Sequence, residues 1–266
     1  MLNYLKRNIP NALTCGNLLC GCLGICDLFE NSGRHIPLLM GLACIFDFLD
    51  GFLARILKVK SAIGKDLDSL ADMVTFGLLP GMLLFVMAKT NFLSHIERGY
   101  IVYEPMLAAL PYFAFIVPLF SAIRLAKFNN DPRQTESFIG LPTPANAVLI
   151  TSFFIIFGEF NSMQFGLDCL APNISHSLSR MVYSRLSVPL WLIVISLISA
   201  ILLLIPYRLF SLKFHGFSLS QNKTKYAFLL GLTFLLIFLG NVGIPFIILL
   251  YFLLSIPNNL GKSGKL

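Results

Sequence analysis

Apolar runs of helical length, broken by short polar connectors, set the pattern of this chain. They fall at about 12–29, 35–57, 64–88, 105–127, 144–159, 187–205, 224–240 and 242–256. Crossing a bilayer takes about 20 apolar residues as a helix, and continuous runs, unlike alternating ones, point to helices rather than barrel strands. The expectation is an all-α, polytopic transmembrane bundle of about eight spans. We read residues 1–266 as a single integral membrane domain: a lead at 1–11, core spans over 12–205 and additional C-terminal spans over 224–256. The lead holds Lys6, Arg7 and Pro10 and suits a position along the membrane surface. Asn11 and Thr14 are read as starting the first helix, and Pro80 as kinking the third. The last two runs turn at Gly240-Asn241-Val242-Gly243.

Composition agrees with a membrane protein. Hydrophobic residues make up 56% and charged residues 12%, with 25 phenylalanines and a mean hydropathy of +0.79. A soluble domain carries about 25% charge. No cleavable signal peptide is expected, because the first apolar run lacks a small-residue cleavage site. The net charge of +7 could suggest nucleic acid, but its distribution argues otherwise. With eight spans both termini share one side, which holds all of the 20 lysines and arginines except Arg34, Lys89, Arg98, Arg180 and Arg185. The positive-inside rule places that side, with both termini, in the cytoplasm, and basic residues there face anionic lipid. The expected location is the cell membrane, with membrane lipids as neighbours and no nucleic-acid partner. Of the six cysteines, Cys15, Cys20, Cys22 and Cys26 fall in the first run and Cys44 in the second. Their spacing does not suit structural zinc, so they are read as small packing residues.

One polar stretch does not fit a purely structural bundle. From Asp47 to Asp72 the chain reads Asp-x2-Asp-Gly-x2-Ala-Arg-x8-Gly-x3-Asp-x3-Asp. On a helix, Asp47, Asp50, Gly51, Ala54 and Arg55 share about 140° of arc, while Gly64, Asp68 and Asp72 drift by only about 80°. Asp66 points roughly the other way and is left out of the site. Charges this close to hydrocarbon need a cavity, a metal or a partner. Facing acidic stripes can hold two hard cations through oxygen ligands, and Gly51, Ala54 and Gly64 keep the face thin. The stripe closes the second run, so the site is expected near the cytoplasmic membrane face.

This pattern resembles the signature of the CDP-alcohol phosphatidyltransferases at every motif position. The resemblance implies an integral membrane enzyme that displaces CMP from a CDP-linked lipid with an alcohol. It implies two Mg2+ or Mn2+ ions shared by Asp47, Asp50, Asp68 and Asp72, and Asp72 as general base. Gly51, Ala54, Arg55 and Gly64 would bind the CDP and phosphate portion, with Gly51 and Ala54 giving room and Arg55 charge. Direct displacement is preferred to a covalent intermediate, since no histidine, cysteine or serine has sequence support as a nucleophile. The resemblance also leads us to expect a homodimer.

Within the family, Asp68-Ser69-Leu-Ala-Asp72-Met-Val-Thr75-Phe-Gly77, Arg124-Leu-Ala-Lys127-Phe-Asn129 and Phe138-Ile-Gly-Leu-Pro142-Thr-Pro144-Ala-Asn146 are similar to the serine-using branch. That similarity runs from Ile9-Pro-Asn11 to about residue 150. It implies CDP-diacylglycerol and L-serine as substrates, with Thr75, Arg124 and Lys127 in acceptor or phosphate recognition: Arg124 is first choice and Lys127 second for the serine carboxylate, the alternatives being that both bind a lipid phosphate or flank the membrane. The Pro142–Pro144 loop is a candidate cap over the cavity. Two other readings stay open: the same chemistry with glycerol 3-phosphate or inositol phosphate as acceptor, and a non-enzymatic ion or lipid transporter using the acidic cluster for binding.

Overall fold

The computed structural model describes residues 2–30, 33–59, 62–97, 105–130, 138–158, 189–210 and 222–256. The chain starts with α1 (Leu2–Glu30), α2 (Ile36–Ile56) and α3 (Ala62–Asp72). A π-helical stretch, Met73–Leu78, then leads into α4 (Leu79–Glu97). After a short α5 (Pro105–Ala108) and a 3-10 turn at Leu110–Phe115 come α6 (Ile116–Asn130) and strand β1 (Phe138–Ile139). The remainder is α7 (Thr143–Gly158), α8 (Pro189–Leu204), β2 (Arg208–Leu209), α9 (Lys223–Leu239), a 3-10 turn at Gly240–Val242 and α10 (Gly243–Leu254).

Among the described residues, four helical segments are long and apolar enough to cross a membrane: Asn8–Glu30, Ile36–Ile56, Ile63–Glu97 and Leu110–Asn130. The later helices fall on the expected runs but are shorter, from 12 residues in α10 to 17 in α9. The connector at 160–186 lies outside the described residues.

α3, the π stretch and α4 form one rod of 35 residues, longer than a bilayer requires. Its polar ends, Lys65 and Asp66 at one and Lys89 and Glu97 at the other, are exposed. Between them the rod is the spine of the bundle, with 61% of its apolar window buried against 22% for α2. α1 packs along α2, α3 and the π stretch; α4 meets α7 and α8; α6 lies on the π stretch and α8. Phe76, Leu79, Leu83 and Leu84 of the rod meet Ile36, Met40 and Ala43 of α2, Ala147 and Ile150 of α7, and Leu192 of α8 in the main core. A second cluster joins Leu141, Leu209, Phe210, Phe228, Ile247 and Tyr251.

At Pro80 the rod changes its hydrogen-bond pattern. Pro80 has no N–H, and its ring crowds the carbonyl one turn earlier. The helix answers this by widening immediately before it, with Leu79 N–H bonding back to Val74 O, five residues earlier. Wide turns of this kind recur at functional sites. This one begins directly after Asp72.

The close approach of α1 to the rod depends on glycine. A Cβ on Gly21 would collide with Thr75 Oγ1 and lie 2.9 Å from Thr75 Cα, and one on Gly24 would sit 2.7 Å from a Leu79 methyl. Thr75 Oγ1 donates to Asn17 O at 3.0 Å across the same contact. Small residues at such seams are how helices associate without a hydrophobic driving force. Gly21→Val is therefore expected to cost about 1–3 kcal/mol and to lower the thermal unfolding midpoint of the detergent-solubilised protein. An unchanged midpoint would mean that the seam opens freely.

Three expectations need correction. Asn11 and Thr14 do not start the first helix: α1 begins at Leu2 and runs through Pro10, leaving both in its interior. Cys15, Cys22 and Cys26 do not pack inside; they are exposed on the outer side of α1, and only Cys20 is buried there. The Pro142–Pro144 loop does not cap the cavity described below. Gly140 N–H donates to Tyr207 O, Leu141 N–H to Leu202 O, and β1 pairs antiparallel with β2. Gly140, at φ +75°, lets the chain press against the Leu203 carbonyl, where no side chain fits. Among the described residues, this two-stranded ribbon departs from a purely helical description.

Candidate active site

Helix α2 presents two unlike faces. Ile36, Met40, Ala43, Asp47, Asp50 and Ala54 follow one another at four- and three-residue steps and face inward, with Asp50 buried. Leu38, Leu42, Ile45, Phe48, Phe52 and Ile56 form the exposed face. The apolar stripe that seats α2 in the bundle thus continues, at the same spacing, as the acidic stripe. α3 brings Asp68 and Asp72 one turn apart towards it.

One carboxylate oxygen each from Asp47, Asp50 and Asp68 lies within 4.8 Å of the others. Three like charges at that separation repel strongly in a partly buried site. An all-oxygen set of this kind suits a hard divalent cation such as Mg2+ or Mn2+. Asp72 stands beside this group but outside it. It is buried, feels the charges of Asp47, Asp68 and Asp50, and accepts a hydrogen bond on Oδ1 from Asn17 Nδ2 at 3.1 Å. Asp66 is exposed, as its helical angle predicts.

A cavity of about 420 Å³ opens beside the carboxylates. Asp50, Asp68, Gly51, Ala54 and Gly64 line it, with Pro10, Asn11 and Thr14 of α1 and with Val59 and Lys65. A Cβ added at Gly51 would meet nothing within 4 Å. The protein's own packing therefore does not require glycine there, and the space belongs to the cavity. Arg55 is exposed at the end of α2, where its Nε donates to Gly51 O at 2.9 Å. It does not line the cavity.

The residues expected at the acceptor separate. Arg124 is buried on α6, with its guanidinium 6.0 Å from the Phe128 ring and its charge attracted to Asp72. Lys127 is exposed. Thr75 is fully buried, and its hydroxyl ties the rod to α1, as described above. A polar chain fixes the end of α6 to α3: Lys65 Nζ donates to Asn129 O at 2.6 Å, and Asn129 Nδ2 to Ser69 Oγ at 2.7 Å. Ser69 thereby holds the helix that carries Arg124.

Two residues escaped the reading of the sequence. Thr14 donates its hydroxyl hydrogen bond to Asp50 Oδ2, and Asn17 reaches Asp72. Both are buried. The signal was there: Thr14, Asn17, Gly21 and Gly24 repeat at three- and four-residue steps on one face of an apolar helix. Of the histidines, His35 pairs with Asp27 at 2.8 Å at the opposite end of α1 and α2, and His95 bonds Asn91 O on α4. His176 and His215 lie outside the described residues.

Comparison with known proteins bears on this arrangement. The CDP-alcohol phosphatidyltransferase family model matches residues 7–176, more than half of the chain. The chain is 34% identical over 147 residues to a CDP-diacylglycerol–serine O-phosphatidyltransferase of Bacillus subtilis (strain 168), covering 54% of this chain and 71% of that protein. It is 33% identical over 165 residues to the protein of the same description from Mycobacterium tuberculosis (strain ATCC 25618 / H37Rv), covering 59% of this chain and 51% of the relative. A third, from Methanocaldococcus jannaschii, is 39% identical over 115 residues, covering 43% of this chain and 48% of its own length. The chain thus spans about half the length of the mycobacterial and archaeal relatives and over two thirds of the bacillar one.

Proposed function

The chain belongs to the CDP-alcohol phosphatidyltransferase family, and from that premise we propose that it transfers the phosphatidyl group of CDP-diacylglycerol to the hydroxyl of L-serine, giving phosphatidylserine and CMP. The observation that carries this reading is the convergence of Asp47, Asp50 and Asp68 beside a cavity lined by Asp50, Asp68, Gly51, Ala54 and Gly64. The shared description of the relatives supports serine as the acceptor.

Asp47, Asp50 and Asp68 would hold a divalent cation, with Asp72 adjoining a second. When bound, such ions neutralise pyrophosphate charge and polarise the phosphoryl oxygens. The chain's own groups do the rest. The thin wall at Gly51 and Ala54 admits the cytidine-phosphate portion, and Lys65 at the rim offers a positive charge to it. Thr14 orients the Asp50 carboxylate through its hydrogen bond, and Asn17 orients that of Asp72. Asp72 takes the proton of the acceptor hydroxyl as that oxygen attacks the diacylglycerol-bearing phosphorus. The bond from that phosphorus to the bridging pyrophosphate oxygen breaks, and CMP leaves with the electron pair. Arg124 receives the serine carboxylate. Arg55, exposed at the end of α2 with its Nε on Gly51 O, supplies positive charge to the leaving phosphate.

The proposal extends to the setting. All eight apolar helices cross the cell membrane as one catalytic domain, both termini and the carboxylates face the cytoplasm, and the protein forms a homodimer. Support for the orientation comes from the bias of basic residues to one side.

Incubating the purified protein with CDP-diacylglycerol, Mn2+ or Mg2+ and one alcohol at a time tests the reaction. CMP is expected with L-serine and not with glycerol 3-phosphate or inositol phosphate. CMP formed only with a phosphorylated alcohol would reject serine, and binding without any CMP would reject the enzyme.

A further inference from the structure

Three polar atoms around the π stretch are buried and have no partner: Asn17 Oδ1, Ser121 Oγ and Arg124 Nε. Their residues are 0%, 0% and 6% exposed. A buried polar atom left without a hydrogen bond costs about 1–3 kcal/mol, so three in one neighbourhood call for a reason. All three adjoin Asp72 or the wide turn that follows it. Asn17 bonds Asp72 through Nδ2, and its backbone carbonyl accepts from Thr75. Ser121 lies against Gly77, with its Cβ 3.2 Å from where a Gly77 Cβ would stand. Arg124 follows Ser121 by one turn of α6 and is attracted to Asp72.

The chemistry of the three atoms is mixed in a specific way. Arg124 Nε can only donate. Asn17 Oδ1 can only accept, because an ionised Asp72 carboxylate accepts and so claims the Nδ2 side of the amide. Ser121 Oγ can do both. One donor for an anion and two acceptors for N–H groups, two of them beside the Asp72 carboxylate and the third against the wide turn that follows it, match one class of small molecule: a hydroxylated α-amino acid in its zwitterionic form. A phosphorylated alcohol would offer no N–H to Asn17 or Ser121. Its extra negative charge would meet one buried arginine beside four aspartates.

Resting on the reading of the chain as a serine phosphatidyltransferase, we propose that Asn17 Oδ1 and Ser121 Oγ bind the ammonium group of the acceptor while Arg124 binds its carboxylate, so that these α1 and α6 residues set the selection for an amino acid. The carboxylate end was expected of Arg124; the ammonium end is new. It gives the asparagine at position 17 two tasks, one towards Asp72 and one towards the substrate.

The test compares acceptors that lack one group each. CMP release from CDP-diacylglycerol is measured with L-serine, with 3-hydroxypropanoate (serine without its amino group) and with ethanolamine (serine without its carboxylate), using metal-loaded wild type, Ser121→Ala and Asn17→Ala. Wild type is expected to favour serine over 3-hydroxypropanoate by at least about tenfold in kcat/KM, as a charged hydrogen bond warrants. Each variant should raise KM for serine about tenfold, leave KM for CDP-diacylglycerol unchanged, and bring the serine to 3-hydroxypropanoate ratio towards one. Asn17→Ala also loosens Asp72 and so lowers kcat for every acceptor; the ratio cancels that loss. Should Asn17→Ala fail to fold, Ser121→Ala, which removes one oxygen and adds no bulk, decides alone. If wild type uses serine but the ratio is the same in the variants, ordered water satisfies these atoms and the inference falls while the reading of the enzyme stands. If wild type makes CMP only with a phosphorylated alcohol, both fall.

Discussion

Asp72→Asn is expected to reduce CMP formation to about a thousandth of wild type or less, within the range set by loss of a general base, while the protein remains folded. Asparagine keeps the shape of the side chain and still offers an oxygen to Asn17 Nδ2, so the α1–α3 contact survives. What it cannot do is take a proton from the attacking hydroxyl. In the proposed mechanism Asp72 does this from beside the three-carboxylate group rather than within it. Turnover is read as CMP release with CDP-diacylglycerol and serine, and folding as the elution profile and unfolding midpoint in detergent. A variant with near wild-type turnover would remove Asp72 from the chemistry. The Mn2+ concentration needed for residual turnover separates two roles: unchanged for a base alone, raised for a ligand as well.

Exhaustive chelation should have a comparable effect, taking activity to background with recovery on adding Mg2+ or Mn2+. Two causes act together. Without cations, Asp47, Asp50 and Asp68 present mutually repelling charges within 4.8 Å of one another to a substrate whose pyrophosphate is itself anionic. The phosphoryl oxygens also lose the polarisation that makes attack at phosphorus feasible, a contribution of several kcal/mol, or roughly a thousandfold in rate. Full activity after chelation, in a sample shown to be metal-free, would defeat the proposed mechanism.

Much of this molecule could be read from spacing alone. The three- and four-residue rhythm of α2 predicts an inward face carrying Asp47 and Asp50, and the same rhythm removes Asp66 from the site; both hold in the structure. The motif from Asp47 to Asp72 carries the resemblance to the family that the chain belongs to. What failed to show were dependencies between distant segments. Thr14 was read as a helix start because hydroxyls favour that position, yet Pro10 proved compatible with helix continuation and Thr14 faces Asp50, 36 residues away. Thr75 was singled out from its place in the resemblance to the serine-using branch; that its hydroxyl bonds Asn17 O depends on how near the Gly21 seam brings α1. Ser69 stood out as a marker of the serine-using branch; its bond with Asn129, 60 residues on, supplies a physical role in holding α6.

The sequence by itself determined the membrane-helical architecture, the acidic stripe and the class of chemistry. The first two rest on periodicity and charge within one segment, which local geometry converts directly into a face; the class of chemistry rests on the resemblance that the motif carries. Only the tertiary structure decided which three carboxylates cluster, that Asp72 leans on Asn17, and which buried polar atoms are left without a hydrogen-bond partner. Those outcomes depend on how closely helices from separate parts of the chain approach, and that distance is set by mutual packing at glycine seams and at the widened turn before Pro80, not by any one helix's own residues.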